Sequence, residues 1–110
     1  MAFKLVKRSK LPVRVKGSLP EEDGAMSDFD FKLHCKRLTQ DQLDALMTDK
    51  EAAVKAFVVD VAEGWEGMVN ADGAPVAFSE EGLADLIENP GLPMLILQAY
   101  LKQVAAVAKN

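Results

Sequence analysis

His34 and Cys35 are the chain's one imidazole and one thiol, and a Cys–His nucleophile pair is the first chemistry they bring into question. Such a pair needs the thiol within hydrogen-bond reach of its base. Here the two are neighbours in a run where Phe29, Phe31, Leu33 and Cys35 alternate with Asp30, Lys32, His34 and Lys36. Successive residues of a strand point to opposite faces, so the thiol falls on the phenylalanine face, in the core, and the imidazole on the solvated face. One His beside one Cys falls short of the usual zinc ligand count, and a lone Cys forms no internal disulfide. The carboxylate pairs Glu21-Glu22 and Glu80-Glu81 read as a loop and a helix start, with no evident apolar pocket to raise a pKa for acid or base work. Asp72-Gly73 lacks the spaced ligands of a calcium loop, and no phosphate loop, dinucleotide fingerprint or serine elbow is present. The expectation is a protein without catalysis, metal or cofactor. Trp65, between Gly64 and Gly67, has two readings: a half-buried plug after a helix cap, or an anchor for a partner presented by its permissive neighbours.

The elements that position these residues are legible in the pattern. Leu11, Val13 and Val15 alternate with Pro12, Arg14 and Lys16, which predicts a strand, and Pro12 places it at a sheet edge. Phe29 to Cys35 is the stronger strand, and Gly17–Asp28 between them reads as a long acidic loop. Thr39 and Gln42 have capping-box spacing, and Leu38 and Leu43 staple spacing, for a helix from about Gln40 to Met47 that buries Leu43, Leu46 and Met47. A second helix starts at Thr48 or Asp49, buries Val54, Phe57, Val58 and Val61, and ends on Gly64 as a left-handed cap. Asp72-Gly73 makes a turn between Val69 and Val76. Ser79 caps a short third helix with Leu83, Leu86 and Ile87 inside. Asn89-Pro90-Gly91 stops it, and Pro93 opens a last helix running to about Ala108 with Leu97, Tyr100, Leu101 and Val104 on one stripe. Met94, Leu95 and Ile96 lie beside that stripe, so the helix is apolar over more of its circumference than one core contact needs. It is either central to its own domain or a grip for another chain. The fold class expected is α+β: one domain over residues 1–110, an N-terminal antiparallel hairpin or small sheet packed with about four helices, residues 1–10 frayed or forming a short strand or anchor.

The charge is uneven. There are 13 Lys and Arg against 17 Asp and Glu. Lys4, Lys7, Arg8, Lys10, Arg14 and Lys16 place six cations and no carboxylate in the first 20 residues, which leaves residues 21–110 at −10. The basic end either folds back on the acidic remainder, stays solvated, or contacts nucleic acid, for which aromatic-basic interleaving is missing. With 49% apolar residues the chain can fill a core without staples, and no run reaches membrane-spanning length. A soluble, intracellular protein of a reducing compartment is expected.

Lys55-Ala56-Phe57, Gly64-Trp65-Glu66-Gly67-Met68-Val69, Asp72-Gly73, Pro75, Phe78-Ser79-Glu80-Glu81, Leu86 and Ala99-Tyr100-Leu101 resemble the phage tail assembly chaperones of long-tailed phages and prophages. The N-terminal hairpin followed by Leu38-Thr39 is similar too, and the match spans about two-thirds of the chain. The resemblance implies a non-enzymatic helper in the host cytoplasm, absent from the mature virion, that coats the tape measure protein and keeps it soluble while the tail tube assembles. It also implies a homo-oligomer, and a longer frameshifted product that recruits the major tail tube protein; Lys109-Asn110 can be encoded by an adenine run on which ribosomes slip. Partner-binding residues on this reading are Trp65, Met94, Leu95, Ile96, Leu97, Tyr100, Leu101 and Val104. Two other readings stand beside it: a small nucleic-acid-binding regulatory module using the basic N-terminus, which predicts salt-dependent gel shifts, and a structural tail component retained in the virion, which protein analysis of purified particles would find.

Overall fold

The computed structural model describes residues 2–47 and 51–106. Its architecture is α+β: a three-stranded antiparallel sheet with four helices. Strands β1 (Lys10–Pro20) and β2 (Met26–Lys36) form the N-terminal hairpin, and β3 (Ala62–Glu66) pairs with the far side of β2. The order β1-β2-β3 makes β1 an edge, as Pro12 demands.

The hairpin is longer than its apolar alternation implies. Gly17–Asp28 is mostly paired strand, with Gly17 opposite Phe29, Ser18 opposite Asp28 and Pro20 opposite Met26, and only five residues turn the chain. The expected long acidic loop is therefore corrected to a short one. The alternation lapses at Gly17 because the Phe29 ring covers that position: a β-carbon there would lie 2.7 Å from the ring and 3.0 Å from Leu95. An aromatic lying over a strand glycine restores the contact the missing side chain would have made. The turn itself closes through Glu21 N–H to Ala25 O at 2.8 Å and Gly24 N–H to Glu21 O at 2.9 Å, with Gly24 left-handed at φ 87°.

The sheet's inner face presents Leu11, Val13, Val15, Phe31, Leu33 and Cys35, all buried. Across it lies helix α4 (Leu92–Val104), and helix α2 (Glu51–Val61) packs against α4 with Val54, Phe57, Val58 and Val61 buried, as their spacing requires. Phe57 meets Tyr100 edge-to-face, centroids 5.0 Å apart. Helix α1 (Gln40–Met47) begins on the expected capping box: Thr39 N–H donates to Gln42 Oε1 at 2.8 Å, and Gln42 N–H to Thr39 Oγ1 at 3.3 Å. Leu38 and Leu43 are half-buried against the core; Leu46 and Met47, as side chains, and the helix start expected at Thr48 or Asp49 lie outside the described residues. Helix α3 (Glu80–Ile87) is capped by Ser79, whose Oγ accepts from Gly82 N–H at 3.0 Å, and buries Leu83 and Ile87 while Leu86 stays half-buried.

Three further expectations are corrected. Gly64 is no left-handed cap: α2 ends at Val61 and the chain passes straight into β3, with Gly64 inside the strand. α4 stops at Val104, with Ala105 extended, rather than near Ala108. The Arg37 guanidinium donates to Val104 O at 3.3 Å, a cation at the carbonyl end of the helix, where the dipole favours it. Residues 2–9 form neither strand nor buried anchor.

Candidate functional site: two apolar hollows beside Trp65

A bulge in β3 turns Trp65 toward the inner face of the sheet. Cys35 faces Ala62 and His34 faces Gly64, so Glu63 is the extra residue, and Trp65 falls opposite Leu33 on the inner face. There it is half-buried. Its indole Nε1–H donates to Val76 O at 2.8 Å, its ring meets Phe78 edge-to-face at 5.0 Å, and Gly82 of α3 lies beneath it. A β-carbon at Gly82 would come within 3.0 Å of the indole. The turn that supplies Val76 is pinned by Asn70, whose N–H donates to Ala74 O at 2.9 Å while its side-chain oxygen accepts from Asp72 and Ala74 N–H. Val69 and Pro75 form the bridge across it.

The Trp65–Phe78 pair separates two open apolar hollows. One is lined by Trp65, Met68, Val69, Val76 and Leu86, with Asp85 and Asn89 at its polar side. The other, enclosing about 400 Å³, is lined by Val59, Ala62, Phe78, Leu83 and Ala84, with Glu80 as its carboxylate. Val59 and Val69, one in each hollow, are each more than half exposed.

The residues expected to grip a partner divide. Ile96, Leu97, Tyr100 and Val104 are buried within the single chain, so the apolar surplus of α4 resolves chiefly as centrality. Leu95 and Leu101 are half-buried against that core, Met94 is exposed, and Trp65 is half-buried and lines a hollow. Tyr100 does structural work: its hydroxyl donates to Lys36 O at 2.7 Å and accepts from Leu38 N–H at 2.8 Å, fastening the β2–α1 linker to α4. Met68, Val69, Val76 and Val59 were missed as lining residues. Their signal, apolar types outside every periodic stripe, is visible once the elements are placed.

Cys35 and His34 do not form a nucleophile pair. Cys35 is buried, donates weakly to Leu33 O at 3.7 Å, and burial pushes its thiol up to about 12, so the thiolate a nucleophile requires does not form near neutral pH. His34 lies on the opposite face, half-buried, its Nε2 3.1 Å from Glu66 Oε1. On the same outer face Arg14 forks onto Asp30 at 3.0 and 2.6 Å; donating to the carboxylate holds Asp30 below its usual range and raises Arg14. Lys10 reaches Glu63 at 3.0 Å. Two of the six N-terminal cations therefore fold back onto carboxylates of their own chain. Among the described residues no group of His, Cys, Asp and Glu could hold a metal ion, and no helix is long and apolar enough to cross a membrane. Comparisons with protein-family models, with curated proteins and with solved structures give no match.

Proposed function

We propose that the chain is a non-enzymatic phage tail assembly chaperone that binds the tape measure protein and keeps it soluble during tail tube assembly. The observation that carries this reading is the hollow beside Trp65. Two of the segments that bear the family resemblance, Gly64 to Val69 and Phe78 to Glu81, converge on one edge-to-face aromatic pair flanked by uncovered apolar side chains. Such a hollow suits an apolar side chain offered by an amphipathic helix, the surface a tape measure protein exposes before the tube encloses it. A single contact of this size is weak and reversible, and many copies along one filament supply avidity. On this reading the protein works in the host cytoplasm, is absent from the finished particle, and meets the major tail tube protein through a longer frameshifted product.

Co-expression with the cognate tape measure protein tests the proposal. The tape measure protein is expected in the soluble fraction with the native chaperone and in the pellet with Val69→Asp, which places a charge in the hollow. A tape measure protein that stays insoluble beside folded native chaperone overturns the reading.

A further inference from the structure

We propose that the N-terminal arm, residues 2–9, docks into the Val59–Phe78 hollow of a second copy of this chain, joining copies head to tail. The arm is an apolar and cationic plug held off its own body. Phe3, Leu5 and Val6 are 77%, 92% and 53% exposed, interleaved with Lys4, Lys7 and Arg8. The arm is tied to itself: Val6 N–H donates to Lys4 O, the Arg8 guanidinium donates to Lys4 O and Val6 O, and it stands 4.9 Å over the Phe3 ring. Its root is fixed where Ser9 O accepts from Arg37 N–H and Lys10 meets Glu63.

The hollow is the matching socket. Its floor is Val59, Ala62, Phe78, Leu83 and Ala84, and Glu80 lies at its edge. The charges are complementary: the arm carries Lys4, Lys7 and Arg8 and no carboxylate, whereas residues 56–101 contain eight carboxylates and no Lys, Arg or His, of which Glu63, Glu66 and Glu88 already meet Lys10, His34 and Lys55 of their own chain. Docking opens the Lys4–Val6 turn; in the extended arm Phe3 and Leu5 then project to one side, toward an apolar floor, and Lys4 and Val6 to the other. Both plug and socket stand open on the same molecule, and they are different surfaces. A contact between them is heterologous, so it propagates into rings or filaments instead of stopping at a symmetric dimer. This contact needs no other protein, so its test is independent of tape measure binding.

Sedimentation of the purified full-length chain across a wide concentration range is the experiment, with two full-length variants altered at exposed positions. Phe3→Asp/Leu5→Asp breaks the plug and Val59→Asp the socket, each lowering the association constant roughly tenfold or more. The native chain is expected to pass beyond a dimer as concentration rises, less so at high salt, and each variant to remain monomeric with unchanged circular dichroism. An equimolar mixture of the two variants retains one good plug and one good socket, so it forms a dimer and nothing larger. A native chain monomeric throughout, including one whose arm resists trypsin because it lies in its own hollow, overturns the proposal. So do variants that assemble like the native chain, or a mixture in which no dimer returns.

Discussion

Tyr100 and Cys35 show how single side chains set the conditions under which this core survives. The Tyr100 hydroxyl satisfies one donor and one acceptor of the linker after β2, at Leu38 and Lys36. Tyr100→Phe keeps the ring against Phe57 but strands both backbone groups, and an unsatisfied partly buried group costs about 1–3 kcal/mol. Chemical denaturation should read a loss in that range with no change of secondary structure; an unchanged midpoint would show that water replaces the hydroxyl. Burial raises both this phenol and the Cys35 thiol, the latter from its ordinary 9.0 to about 12. In the unfolded chain both ionise at their ordinary values, so above pH about 9 the unfolded state releases protons that the folded state keeps. The stability present below that pH is lost progressively toward pH 12. Melting temperatures should fall between pH 9 and 11, and Cys35→Ala should flatten the first part of the fall. A melting temperature independent of pH over that window contradicts the buried, neutral thiol.

The elements were legible where one physical signal dominates. Period-2 alternation at Leu11–Val15 and Phe29–Cys35, the Thr39–Gln42 box and the Ser79 cap each describe a local hydrogen bond or face, and each is where its residues place it. What escaped depends on contacts distant in sequence. Gly17 breaks the alternation, and only the pairing with Phe29 shows why the strand continues. Asp23-Gly24-Ala25 and Asp72-Gly73-Ala74 close turns of the same hydrogen-bond pattern, yet the first lies beside Glu21 and Glu22 in a stretch without apolar alternation. β3 hid behind its bulge and its abrupt start after Val61. The Trp65 plug was legible as one of two readings, while the hollows it separates come from α2, β3, the 70–74 turn and α3 together. The hairpin register carries its own prediction. Hydrogen bonds at Ser9–Arg37 and Glu21–Ala25 continue the ladder at odd positions, so even residues of β1 turn their N–H and C=O groups to the open edge. Pro12 and Pro20 are even and remove two of those donors, which leaves Arg14, Lys16 and Ser18 between them. Edge prolines and charges discourage strand addition. Pro12→Thr/Pro20→Thr should therefore raise self-association measured by light scattering, and scattering equal to the native chain would show that the side chains alone protect the edge.

For the molecule as a whole, α4 is the axis of the fold with only Met94 of its large apolar side chains exposed, and the apolar side chains left uncovered elsewhere include Val59 and Val69 beside the Trp65–Phe78 pair. On the proposed function, stability and partner binding then fall to separate residues and should respond to separate substitutions. Ile96 is completely buried beneath the sheet; Ile96→Ala removes that packing and costs about 2–5 kcal/mol, a large share of what a domain of this size holds in reserve. Val69 is 58% exposed, and Val69→Ser should change stability by no more than about 0.5 kcal/mol, while weakening capture of an amphipathic helix through the hollow it lines. Thermal melts and pull-down of the tape measure protein, run on both variants below their melting temperatures, separate the two roles. Were α4 itself the grip, Ile96→Ala would abolish capture while still folded and Val69→Ser would leave it intact. The enclosure of Ile96, Leu97, Tyr100 and Val104 predicts the reverse: a folded Ile96→Ala that still captures its partner, and a Val69→Ser that melts like the native chain and captures less.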